Sequence, residues 1–236
     1  MGHLTLSGNP PISIALRRSA RARRMTLRIS GLDGRITLTL PRGINEREAQ
    51  AFAAEKEAWL RKHLAKQSAP QRIAQGTSIP IEGRPRKLVA GQGKRITLSD
   101  DALTLPLDDG RGGPRLRAWI KAQARQRLAN ASDHYAAKLG RDYSRITMRD
   151  TRSRWGSCSS QRALNYSWRL YMAPPDVLDY VAAHEVAHLA EMNHSPAFWA
   201  VVERLYGPHA AQRSWLRTHG NALHTYIFDA QPGAGD

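Results

Sequence analysis

A single cysteine, Cys158, stands in the 236 residues. No intrachain disulfide framework can form, and a reducing, cytoplasmic compartment is the expectation. No run of 18 or more apolar residues occurs, which excludes a membrane-spanning helix. The N-terminus lacks the apolar stretch of a secretory signal. Met1-Gly2 is followed by Leu6 where a myristoylation signal needs Ser or Thr. The segment Arg17 to Arg28 is arginine-rich like a transit peptide, but Met25, Leu27 and Ile29 alternate with polar residues there, which reads as folded strand. Hydrophobic residues at 41% and charged residues at 24% exclude disorder and collagen-like composition. The length suits one large domain or two small ones, with a real core.

Acidic residues are the minority: 20 against 36 basic, a net charge of +16. Residues 1–150 hold 29 basic and 13 acidic side chains and so the whole excess, while residues 151–236 hold 7 of each. A basic region of this size attracts nucleotides, nucleic acid or other polyanions, or is simply a solvated surface. No nucleic-acid module accompanies it. Gly91-Gln92-Gly93-Lys94 is too short for a phosphate loop and reads as a turn.

Residues 12–41 read as strands. Met25, Leu27 and Ile29 alternate, Leu32-Asp33-Gly34 turns, and Ile36, Leu38 and Leu40 alternate again. Asn45 to Lys66 reads as one helix, with Asn45 and Glu48 as a capping box and Phe52, Trp59, Leu60 and Leu64 as its apolar face. After a connector over 67–80 come short strands at 79–81, 86–89, 96–98 and 103–107. A long helix follows over 114–139, its apolar side Leu116, Ile120, Leu128, Tyr135 and Leu139. Arg117, Lys121 and Arg125 share one face of it, either gripping phosphates or facing solvent. Strands are expected at 146–150 and 164–173, then helices at 176–191, 196–206 and 208–219.

The chemistry is concentrated in His184-Glu185-Val186-Ala187-His188, an HExxH motif inside an apolar helical segment. Residues i and i+4 share one helix face, so two imidazoles can bind one Zn²⁺ at about 2.0–2.1 Å each. Glu185 is near enough to hold a water at that metal and take its proton. Nickel, cobalt or manganese also suit such ligands. A catalytic zinc needs a third protein ligand and an open position. His194, ten residues after His184, has the metzincin spacing, although Glu191 stands where metzincins place glycine. Asn193 is suited to a left-handed turn that returns the chain, and Ser195-Pro196 to starting the next helix. Glu203 and Glu191 are rival third ligands, and His209, His219 and His224 more distant ones.

Beyond this motif the chain resembles a family. Arg154-Trp155-Gly156-Ser157-Cys158, then Leu164-Asn165-Tyr166-Ser167-Trp168-Arg169-Leu170, then Tyr180-Val181 leading into the HExxH helix and Glu191-Met192-Asn193-His194-Ser195-Pro196 with Phe198-Trp199 are similar to the YgjP-like metallopeptidases, relatives of the SprT-like and WLM zincins. The resemblance covers about residues 145–206. It implies a zincin-like domain with His184, His188 and His194 on one zinc and Glu185 as base.

Weaker candidates surround these four. A strand beside the helix can align an extended substrate by main-chain pairing, and either 164–173 or 152–157 can supply it. Arg154, Tyr166 or Tyr171 can hold an oxyanion. Glu191 can orient a ligand imidazole instead of binding metal. Cys158 is expected to be a buried thiol, and Phe198, Trp199 and Leu205 a packing face. The expected fold is α+β: a basic, strand-rich portion over 1–110 with one helix, then a zincin-like catalytic domain over 111–236, or one continuous domain. The expected activity is that of a zinc peptidase acting on a peptide or protein, with one zinc per chain. The alternatives are a nucleotide or phosphoester hydrolase, such as a nucleoside triphosphate pyrophosphatase, and a nucleic-acid-associated protein with a SprT-like protease site.

Overall fold

The computed structural model describes residues 2–31, 34–65, 69–93, 95–107 and 110–229. The chain forms two compact units, Met1–Ala69 and Pro70–Asp236. The expected division near residue 110 falls inside the second.

In the first unit, β1 (His3–Leu6), β2 (Ile12–Arg18), β3 (Thr26–Ile29) and β4 (Ile36–Leu40) form one sheet in the order β1-β2-β4-β3. The expected pairing of the alternating runs is present, with Leu27 opposite Leu38 and Ile29 opposite Ile36. Leu32 and Asp33 of the expected turn lie outside the described residues. Alternation puts Ile12, Ile14, Leu16, Ile36, Leu38 and Leu40 on one buried face. Two helices cover it: α1 (Glu46–Glu55) and α2 (Glu57–Leu64). The Asn45–Glu48 capping box forms with bonds of 3.0 and 2.9 Å. The single helix expected here is broken at Lys56. The pair buries Ala49, Ala53 and Leu60, whereas Trp59 is exposed.

The second unit opens with β5 (Gln71–Arg72), β6 (Ser78–Ile81), β7 (Arg84–Ala90), β8 (Thr97–Leu98) and β9 (Ala102–Leu105). The last four make a sheet in the order β6-β7-β9-β8. The long α3 (Gly112–Leu139) buries Leu116, Ile120, Ala124 and Leu128 and stops at Gly140, whose φ of 71° provides a left-handed cap. Next come β10 (Arg145–Arg149), β11 (Gly156–Cys158) and β12 (Ala163–Ser167), with β12 in the middle. Then α4 (Pro175–Ala187), α5 (Pro196–Tyr206) and α6 (Ala210–His219) follow, and β13 (Tyr226–Ile227) returns to pair with β5. The architecture is α+β.

The strand expected over 164–173 ends at Ser167, and Trp168–Met172 form a 3-10 helix. Alternation misled here because all five residues are buried, including Arg169. Its guanidinium pairs with Asp150 at 2.7 Å and donates to the carbonyls of Leu223 and Tyr226 at 2.7 and 3.3 Å. A charge enclosed by that many acceptors has no need of a solvent face.

Candidate metal centre

The α4 helix begins at Pro175, where a missing N–H costs nothing, and is apolar for most of its length. Its last turn carries His184 and Glu185, and His188 is its C-terminal cap. The helix therefore stops one turn short of the expected Glu191. Asn193 does not take the left-handed conformation anticipated for it. Instead the chain leaves through tight turns, with Leu189 N–H bonded to Val186 O and Ala190 N–H to Ala187 O. Ser195 then caps α5, its Oγ accepting from Phe198 N–H at 3.3 Å. Phe198 and Leu205 are buried, and Phe198 stacks on His188.

This corner brings His194 back over α4. The ring nitrogens of His184, His188 and His194 lie within 4.8 Å of one another, and among the described residues they form the one such donor cluster. His184 Nε2 and His194 Nε2 are 3.1 Å apart. Two lone pairs at that distance share a proton or converge on a cation, and tetrahedral zinc with bonds of about 2.0–2.1 Å places its ligand atoms about 3.3 Å apart. His188 Nδ1 meets the Glu191 carbonyl at 2.9 Å, which leaves Nε2 free as a donor to metal. Tyr180 Oη lies 3.4 Å from His184 Nδ1 and has the same effect on that ring. Burial and the neighbouring imidazoles push His184 down to about 3, and burial lowers His188 as well. Three imidazoles converging in this way fit a divalent ion.

Glu185 is 5% exposed, and its Oε2 has no hydrogen-bond partner. Burial raises its carboxyl to about 8, opposed by the Arg154 charge. An orphaned buried oxygen beside three imidazoles is the environment that a cation would complete. The carboxyl rests against Gly156 of β11, where a Cβ would come within 2.5 Å of Glu185 Oε1. A cleft of about 630 Å³ opens above these groups, walled by Arg154, Trp155, Ser157 and Cys158 on one side and by Tyr180 and Met192 on the other. The Cys158 thiol is half-buried, and burial and Glu185 push it up to about 11.

Not every candidate reaches the cleft. Tyr166 is fully buried and bonds Ser132 Oγ at 3.0 Å, and Tyr171 packs against Trp119; neither lines it. Strand β12 has partners on both sides, so the free edge at the cleft belongs to β11. Glu203 pairs with His209 at 3.3 Å, outside the three-histidine cluster. Glu191 contributes its carbonyl, through the bond to His188. His209 is sandwiched between the parallel rings of Tyr180 and Trp199, while His219 and His224 lie against Trp215 and Trp155. The sequence places Tyr180 and Gly156 within the family-like motifs, but neither is given a role there. Tyr180 stands one turn before His184, a spacing that signals contact. Gly156 inside a strand signals close approach.

Among solved structures the chain is similar to the crystal structure of the metallopeptidase zymogen of Pyrococcus abyssi abylysin, with a TM-score of 0.36 and 18% identity over 42% of this chain and 99% of that one. No curated protein matches. The family model described as YgjP-like, metallopeptidase domain, matches residues 23–219, which takes in the β11 edge, the HExxH helix and the His194 corner. The chain belongs to the YgjP-like metallopeptidase family.

Proposed function

We propose that the protein is a zinc peptidase in which His184, His188 and His194 hold the metal and Glu185 is the general base. The observation that carries this reading is the convergence of the three imidazoles beside the unpartnered Glu185 Oε2. Zinc, when bound, supplies Lewis acidity that acidifies water and polarises a carbonyl. Glu185 takes the proton from the attacking water and delivers it to the departing amine. Tyr180 and the Glu191 carbonyl orient the His184 and His188 rings by accepting from their Nδ1–H groups. The free edge of β11 aligns an extended peptide by main-chain hydrogen bonds. The exposed Arg154 guanidinium stabilises the oxyanion. Three histidines select zinc over the hard, oxygen-seeking cations. The single, protonated Cys158 thiol suits a reducing, cytoplasmic setting.

Elemental analysis of the wild type beside His194→Ala and Glu185→Gln tests the assignment. The expected result is about one zinc per chain in the wild type and in Glu185→Gln, and little in His194→Ala, with cleavage of labelled, denatured casein only by the wild type. Full zinc retention by His194→Ala would move the third ligand to Glu203 or Glu191. Casein left intact while nucleoside triphosphates are hydrolysed, with that turnover lost in Glu185→Gln, would replace the peptide by a phosphoester.

A further inference from the structure

The first unit has two unlike faces. Leu4, Leu6, Ile12, Ile14, Leu16, Ile36, Leu38 and Leu40 point into the core beneath α1 and α2. The opposite face of the same sheet presents Ser13, Ala15 and Arg17 from β2, Thr37 and Thr39 from β4, and Thr26 and Arg28 from β3. Register places Thr37 between Ala15 and Arg28, and Thr39 between Arg17 and Thr26. Arg17 and Arg28 thus stand diagonally across the central strand, about 10 Å apart across the sheet and about 7 Å along it, with threonine hydroxyls between them. The β2–β3 connection adds exposed Arg21, Arg23 and Arg24.

No acidic residue occurs before Asp33. The helix carboxylates belong to the other layer, and three of the four are occupied: Glu48 in the capping box, Glu55 with Lys56 and Glu57 with Arg61, with Glu46 at the first turn of α1. Among the described residues, Arg17, Arg21, Arg23, Arg24 and Arg28 have no carboxylate partner. Mutual repulsion of these guanidiniums opposes folding. Solubility alone is met by mixing both signs of charge.

We propose that this outer sheet face binds the phosphate backbone of a double-stranded nucleic acid. The composition of the face selects among anionic partners. A protein interface needs an apolar or aromatic centre, and this face has none. Single strands are held by stacking successive bases on aromatic rings, and among its described residues this face offers no Phe, Tyr or Trp, only the His3 imidazole on the edge strand. Arginine, serine and threonine are the side chains that contact phosphates, and such contacts carry no sequence information directly. The face therefore binds duplexes with little sequence preference. This inference is independent of the peptidase assignment.

Fluorescence anisotropy with the full chain tests it, using labelled 20-base-pair DNA and RNA duplexes, the matching single strand, and polyglutamate as competitor. Neutralising about four to five phosphates gives a slope of about −4 in log K against log salt, hence a loss on the order of 100-fold between 50 and 200 mM. Arg17→Ala/Arg28→Ala reduces the steepness of the slope by about 2 and weakens duplex binding at 50 mM salt at least tenfold, with casein cleavage unchanged and the thermal midpoint equal or higher. Arg21→Ala/Arg23→Ala/Arg24→Ala has a similar effect and leaves the strands untouched. Comparable binding of both duplexes assigns the shared phosphate backbone, and a preference for one identifies its source. Absence of duplex binding at 50 mM salt, an unaltered slope in both variants, tighter binding of the single strand, or equal competition by polyglutamate would each overturn the proposal.

Discussion

Gly156 and Glu185 touch so closely that no side chain fits between them: a Cβ on Gly156 would lie 2.5 Å from both Cγ and Oε1 of Glu185. The backbone at Gly156 does not require glycine, since its φ lies outside the left-handed region. The residue is small because the carboxyl occupies the space.

Gly156→Ala is therefore expected to displace the Glu185 carboxyl. On a proposed base this costs about 10- to 100-fold in kcat/KM, or about 1.4–2.7 kcal/mol. Metal content should be unchanged, because the atoms nearest the added Cβ belong to Glu185 and not to the imidazoles. At an unstrained strand position alanine alone would stabilise by about 0.4–1 kcal/mol. Activity and zinc stoichiometry measured on the same preparation separate the two effects, and an alanine variant with full activity would show that the carboxyl is placed by something else.

Tyr180→Phe removes the acceptor facing His184 Nδ1 while keeping the ring that stacks on His209. The contact is long at 3.4 Å. The expected loss of zinc affinity is accordingly about tenfold, at the low end for groups that orient a metal ligand. Competition with a chromophoric chelator measures it. Unaltered affinity would mean that the surrounding rings, Phe198 and Trp199 among them, hold His184 without the hydroxyl.

Arg169→Ala should be among the most destabilising single changes. It removes the ion pair to Asp150, two donated bonds to the C-terminal carbonyls, and a guanidinium lying 4.4 Å over the Trp168 ring. Breaking a buried pair by deleting one partner costs about 3–5 kcal/mol, and the half-exposed Asp150 places this case near about 3 kcal/mol. Urea unfolding followed by tryptophan fluorescence reads the shift, and a change below about 1 kcal/mol would contradict it.

Acid should weaken the second unit through His224. Its ring lies against Trp155, and burial, with Arg169 and Arg152 nearby, pushes it down to about 4, partly offset by Asp150. The unfolded ring takes a proton near pH 6.5 and the folded ring does not until about 4. Below pH 6.5 the unfolded state binds more protons, so stability falls as pH falls and levels off near 4. One proton sets a ceiling of about 1.4 kcal/mol per pH unit, reduced by solvent screening of a half-buried ring. In zinc-loaded protein, His224→Gln should flatten the stability profile over this range, and an unchanged slope would exclude the residue.

Local periodicity made part of this molecule legible in the sequence. The i, i+4 pair His184 and His188 belongs on one helix face whatever the surroundings, and Glu185 lies between them. Likewise Leu27 and Ile29 opposite Leu38 and Ile36 follow from strand alternation, and the Asn45–Glu48 cap from a four-residue spacing. Such features depend on neighbours in the chain, so short-range geometry suffices.

Tertiary structure decided the rest. Sequence spacing left His194, Glu203 and Glu191 as rivals, and it is the packing of Phe198 and Trp199 at the α4–α5 corner that brings the His194 ring to His184. Trp168–Met172 looked like strand until Asp150 and two carbonyls, the latter more than fifty residues along, enclosed Arg169 and buried both sides of the segment. The space that Glu185 takes from Gly156, and the gathering of Arg17 and Arg28 on one face, arise from sheet and helix pairing across long stretches of chain. Local propensity carries no record of such partners, because the free energy of those contacts exists only once distant segments have met.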